Sequence, residues 1–112
     1  NMDVKAIAKN VRVTPSKARL VVDMIRGKNV NEAFAILKLT NKNACEDVSK
    51  VLKSACSNAV NNNGLDINKL FVKEIYVCDG LRMKRMSPRA KGGGEVITKR
   101  LSSITCVVAE RD

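Results

Sequence analysis

Histidine and tryptophan are absent from the 112 residues, and only three aromatic side chains occur, Phe34, Phe71 and Tyr76. Without histidine the commonest general base is missing. The acidic residues stand singly or at expected helix ends. Cys45, Cys56, Cys78 and Cys106 are 11, 22 and 28 residues apart, with no Cys-x-x-Cys pair. A zinc site would therefore have to gather four scattered thiolates. None of the four has a partner base that would make it a nucleophile. Each is expected to be a buried, reduced thiol in a reducing compartment. No apolar run approaches the roughly 18 residues of a membrane span, and the start, NMDVKAIAK, lacks the apolar stretch of a signal peptide. These absences argue against catalysis, a cofactor and a bound metal, and exclude a transmembrane helix. With so few aromatics, Val, Ile, Leu and Ala must fill most of the core, for which the 45% apolar content suffices.

What is present in excess is positive charge. The net charge is +10, from 21 Lys and Arg against 11 Asp and Glu. Residues 1–81 contribute +5, residues 82–100 contribute +6 in only 19 positions, and the remainder contributes −1. A mildly basic body thus carries one intensely basic segment, RMKRMSPRAKGGGEVITKR. Such a segment repels itself in isolation and calls for a polyanion.

Residues 1–112 read as a single domain. DVKAIAKNVRV (3–13) alternates loosely and predicts a strand. In TPSKARLVVDMIRGK, Thr14 suits a helix cap, Pro15 the first turn and Gly27 the exit. Ala18, Val21, Val22 and Ile25 form its apolar face. Asn29 followed by Glu32 has the capping-box pattern, and Val30, Ala33, Phe34 and Leu37 repeat at helical spacing. A longer helix is predicted from about Lys42 to Asn62, with the stripe Ala44, Val48, Val51, Leu52, Ala55 and Ala59, and with Cys45 and Cys56 beside it. Gly64 is placed for a left-handed exit. The β-branched runs LFVKEIYVC (70–78) and ITCVVA (104–109) predict two strands. The expected fold is α/β (α+β), with a small antiparallel sheet of about three strands packed on three helices. The two late strands form a hairpin, and residues 81–97 are its protruding end.

If that end forms two arms of about eight residues, each projects roughly 25 Å. Arg82, Lys84, Arg85, Arg89, Lys91, Lys99 and Arg100 line them. Nothing apolar holds such arms to the body, and phosphate neutralisation with counterion release supplies the missing free energy. Sequence-specific DNA readers usually present a helix to the major groove, and no helix here carries a basic stripe. Single-strand binders stack bases on aromatics, and the segment has none. Backbone contacts to a folded RNA fit best. Met83, Met86, Val96 and Ile97 either pack on bases and sugars or meet across the ribbon. The triplet Gly92-Gly93-Gly94 reads as a flexible turn, since neither a Gly-Lys-Ser/Thr sequence nor a helix start follows it.

TPSKARLVVDMIRGK, NEAFAILKLT, VLKSACSNAVNNNGLD, MKRMSPRAKGG and TKRLSSITCVV together resemble the bacterial-type family of large-subunit ribosomal protein twenty-two. The resemblance covers nearly the whole chain, in order. It implies a small body on the ribosome near the peptide exit, and a long hairpin threading rRNA to line the nascent-peptide tunnel. It also implies an early role in subunit assembly. Carried over, Met83 to Val96 are the tunnel-facing end. The tip is formed by Met86, Ser87, Pro88, Arg89, Ala90, Lys91, Gly92 and Gly93. Arg12, Ser16 and Lys17 are the body residues implied to touch rRNA. Neighbouring ribosomal proteins and the passing nascent peptide are the other implied partners. The free chain is expected to be a monomer, housed in a cytoplasmic or organellar ribosome of bacterial type. Gly93, Gly94 and Glu95, where the family often continues with basic residues, depart from its pattern, as does the serine that replaces a common histidine in Leu101-Ser102-Ser103-Ile104. The alternative is an architectural DNA-binding protein with basic β-ribbon arms, for which Pro88 is suitably placed. That alternative needs a dimer, and the sequence shows no unclaimed apolar stripe to make one.

Overall fold

The change from helical to alternating apolar spacing at Leu70 divides the chain into a helical half and a two-stranded half. The computed structural model describes residues 2–86 and 96–111; the side chains of residues 81–100 fall outside that description. In chain order the elements are β1 (Val4–Val11), α1 (Pro15–Ile25), α2 (Val30–Leu39), α3 (Ala44–Ser57), β2 (Leu70–Met86) and β3 (Val96–Glu110). The strands make one antiparallel sheet in the order β1-β3-β2. The last strand is therefore central, paired on one side with its hairpin partner and on the other with the first strand.

The three helices cover one face of this sheet. Alternation puts Val4 and Ala6 of β1, Val72, Ile75 and Val77 of β2, and Ile104, Cys106 and Val108 of β3 under the helices. They meet the predicted stripes: Ala18, Val21, Val22 and Ile25 of α1, Val30, Ala33 and Leu37 of α2, and Val48, Val51, Leu52 and Ala55 of α3. Phe34 is only partly buried at the margin of this core. Small and β-branched residues let helix and sheet approach closely, so few aromatics are needed to fill the interior.

Three details differ from the expectations. The third helix is α-helical only over Ala44–Ser57 and continues as a π-helical turn over Asn58–Asn62, before Gly64 leaves at φ +66°. Asn29 occupies the cap position of α2 but makes no side-chain cap bond. Its backbone instead stays extended and bridges to Phe71. Cys45, Cys56 and Cys106 are buried as expected, but Cys78 is exposed. It follows the inward Val77, so the two-residue period of the strand turns it to the helix-free face. Both late strands run on from 70–78 and 104–109 towards the expected hairpin end, β2 to Met86 and β3 from Val96.

The outer edge of β2 is closed by α1 and the loop after it. Arg26 donates from Nη2 and Nε to the Ile75 carbonyl at 2.7 and 3.2 Å, and Arg19 Nη2 donates to the Val77 carbonyl at 3.2 Å. The Gly27 amide donates to the Val72 carbonyl at 2.9 Å, and the Val72 amide donates to the Lys28 carbonyl at 2.8 Å. Gly27 takes φ +80° to make this turn, a conformation that a Cβ disfavours. Arg111 then lies 4.3 Å from the Phe71 ring centroid and donates to the Gly27 carbonyl at 2.8 Å.

Candidate nucleic-acid interface

The basic segment is positioned by where β1 stops. Val11 is its last paired residue and faces Ser102 of β3. Towards the hairpin end beyond that point, β2 and β3 continue together without a third strand. Their pairing runs through Arg82 with Arg100, Met83 with Lys99, Lys84 with Thr98 and Arg85 with Ile97, to Met86 with Val96. Five paired positions make a ribbon of about 15 Å past the sheet.

The register brings Arg82 and Arg100 directly opposite each other. Like charges at such a position destabilise a β-ladder, and a two-stranded ribbon in water has little to offset them. The sequence at the ribbon is therefore poor for self-association of its strands and good for contact with a surrounding anion. Of the expected interface residues, Arg82, Lys84, Arg85, Lys99 and Arg100 belong to this ribbon, and Met86 ends its first strand. Ser87, Pro88, Arg89, Ala90, Lys91, Gly92 and Gly93, the expected tip, lie outside the described residues.

The root of the ribbon is tightly built. The β2–β3 register shifts between Asp79 and Arg82, and the β1–β3 register shifts between Ala8 and Val11. The first irregularity brackets Gly80 and the second brackets Asn10; a Cβ added at Gly80 would stand 2.9 Å from Asn10 Oδ1 and 3.1 Å from the Leu101 carbonyl carbon and oxygen. Bulges of this kind bend a strand pair and increase its twist, so this root sets where the arm points. Asn10, at φ +55°, turns β1 away at the same level. Asp79 lies 4.0 Å from Arg19 of α1.

The three expected body residues are all exposed: Arg12 in the β1–α1 loop, and Ser16 and Lys17 in the first turn of α1. Arg12 and Lys17 share one open groove; Ser16 is not part of its lining. Ser102 Oγ donates to the Val13 carbonyl, which fixes the loop carrying Arg12 to the strand that becomes the arm. Lys42 and Asn43 also line that groove, from the entry to α3. Sequence reasoning passed over them, because only the fold brings that loop next to Arg12.

Three helices on one face of a small antiparallel sheet, with a basic two-stranded ribbon running off its end, define a small α+β body that carries a charged arm. Residues 6–109 match the family model described as Ribosomal protein L22p/L17e, and the chain belongs to that family. It is 56% identical over 110 residues to the large ribosomal subunit protein uL22 of Clostridium novyi (strain NT), covering 98% of this chain and 99% of that protein. The protein of the same name from Acholeplasma laidlawii (strain PG-8A) is 55% identical over 111 residues, covering 99% and 100%. The family is one of ribosomal proteins, not enzymes.

Proposed function

We propose that this chain, as a structural constituent of the large ribosomal subunit, binds rRNA chiefly through its arm. Residues 1–112 act as one domain and residues 81–97 as its hairpin excursion. Arg82, Lys84, Arg85, Arg89, Lys91, Lys99 and Arg100 neutralise phosphates where RNA segments converge, and Arg12, Ser16 and Lys17 make contacts from the body. The tip, from Met86 to Gly93, reaches the nascent-peptide tunnel and forms part of its wall. By holding RNA segments together the chain aids subunit assembly, beside neighbouring ribosomal proteins, after arriving as a monomer.

The observation that carries this reading is the ribbon that outruns the sheet with Arg82 facing Arg100. That arrangement is unfavourable for the free protein and becomes favourable against phosphates. The test is binding to large-subunit rRNA fragments and to duplex DNA of equal length across a salt series. With about seven phosphate contacts, log affinity should fall with a slope of roughly −5 to −6 against log salt. Binding by a monomer with clear preference for folded rRNA is the expected result. Equal or tighter binding to duplex DNA by two chains per site would overturn it in favour of a DNA-bending architectural protein.

A further inference from the structure

The two outer edges of the sheet differ. The β2 edge is bonded at Val72, Ile75 and Val77 by α1 and the loop after it. The β1 edge is open: among the described residues, no group outside the sheet bonds the backbone of residues 4–9. Such an edge presents amides and carbonyls in alternation and is a template for a further strand. Its side chains are sorted as well. Val4 and Ala6 turn to the core and Ala8 is half-buried, whereas Lys5, Ile7 and Lys9 alternate with them and are exposed, Ile7 by 50%. Among the described residues no carboxylate lies within ion-pair distance of Lys5 or Lys9. The nearest acid in sequence, Asp3, is held by Lys73 at 2.9 Å. Two uncompensated ammonium groups about 13 Å apart along the strand thus flank one exposed isoleucine.

These side chains narrow the occupant. A second copy pairing antiparallel over residues 4–10 sets Lys5 against Lys9 on both sides of Ile7, and a parallel one sets each lysine against itself. Like charges directly opposite destabilise a pair. Phosphates of a nucleic acid accept from the edge amides but leave the edge carbonyls without a donor. A peptide strand supplies donors and acceptors at the matching spacing. Opposite Lys5, Ile7 and Lys9 the favoured cross-strand neighbours are an acid, an apolar residue and an acid. A segment of that pattern is anionic, and the chain, at +10, attracts it.

We infer that the β1 edge is a docking site for an extended segment of another protein, one that alternates acidic, apolar and acidic residues on its outward face. The segment adds a fourth strand beside residues 4–9, bonded through main chain and selected through side chains. Its residues opposite Ala6 and Ala8 meet the margin of the core, where β-branched side chains pack well. The two lysines block self-pairing along the edge and admit the acidic partner. The inference does not rest on the RNA reading of the arm. Strand β1 makes its last pair at Val11 with Ser102, before the ribbon begins at Arg82 and Arg100, so a strand at β1 and a polyanion at the ribbon can be held together.

The experiment titrates the full chain, labelled for amide NMR, with two capped probe peptides, Thr-Glu-Val-Ile-Val-Glu-Thr and its counterpart Thr-Lys-Val-Ile-Val-Lys-Thr. The acidic peptide should shift the amides of residues 4–9 and protect them from exchange. It should bind roughly tenfold more tightly than the lysine peptide at about 0.1 M salt, a preference that shrinks at about 1 M. The double variant Lys5→Glu/Lys9→Glu, shown to be folded by thermal unfolding, should reverse the preference. Lys5→Gln/Lys9→Gln should bind both peptides alike, which keeps the test open if charge reversal disturbs the sheet. Lys53→Glu, a control on the α2 side of α3, should keep the wild-type preference. Equal binding of the two peptides to wild type, a preference unchanged in the double variants, or shifts centred away from residues 4–9 would overturn the inference. Shifts of those amides with chain concentration alone would overturn it in favour of a second copy. Shifts produced by a large-subunit rRNA fragment and not by the acidic peptide would overturn it in favour of RNA.

Discussion

Burial pushes the Cys106 thiol up to about 12, with Cys56 adding to the effect, and pushes Cys56 up to about 11. Both therefore stay protonated, and unreactive, at pH 8. A thiol reagent at that pH should modify one cysteine quickly, the exposed Cys78, and the buried Cys45, Cys56 and Cys106 only on unfolding. The linkage has a definite sign. Above an ordinary thiol value near 9.0 the unfolded chain releases protons that native Cys56 and Cys106 still hold. The stability they contribute is complete below pH 9 and is lost as pH rises towards 12. Denaturant midpoints between pH 9 and 11 should fall, and fall less in Cys106→Ala. At Gly80 the constraint is steric. The Leu101 backbone, 3.1 Å from where a Cβ would stand, cannot yield as a side chain can. Gly80→Ala should cost about 1–3 kcal/mol. Gly27→Ala, which meets nothing within 4 Å but keeps φ +80°, should cost only about 1–2 kcal/mol from backbone strain. Thermal unfolding of the two variants checks the order.

At the scale of elements, the sheet depends on its central strand and on a closed β2 edge. Ile104 is fully buried in β3, between Ala8 of β1 and Val77 of β2 in register. Ile104→Ala should destabilise the fold by about 2–5 kcal/mol, read as a shifted urea midpoint. Arg26 is about half exposed but bonds twice to the Ile75 carbonyl. Arg26→Ala should cost about 1 kcal/mol and, by uncovering part of an edge, increase concentration-dependent association in light scattering. The helices were legible in the sequence because burial against one sheet face imposes a 3.6-residue period, visible in Ala18, Val21, Val22 and Ile25. The extension of the two late strands into a basic hairpin was legible from the charge run, but its register was not. The pairing past Asp79 continues the register set by Ile75 with Cys106 and Val77 with Ile104, which only the folded sheet fixes. The pattern of Asn29 and Glu32 placed the start of α2 correctly, but it did not show that Asn29 is bridged to Phe71, a contact distant in sequence, with no side-chain cap bond.

Over the whole molecule, the charge segregation seen in the sequence becomes a spatial division between a packed body and a basic ribbon. The cations of the ribbon were identifiable from composition alone, since seven Lys and Arg fall within residues 82–100. The groove was not, because Lys42 lies thirty positions from Arg12 and only the docking of α3 beside the β1–α1 loop joins them. The body owes its stability to the helix–sheet core. The central claim is thus that folding resides in the body and most RNA affinity in the arm. The most direct measurement replaces residues 84–96 with an Asn-Gly turn and follows both thermal unfolding and rRNA binding across a salt series. Four cations leave with that segment, Lys84, Arg85, Arg89 and Lys91, so the slope should flatten by about 3 while the body keeps its cooperative transition. A shortened chain that binds with the wild-type slope, or whose body no longer folds, would contradict the account.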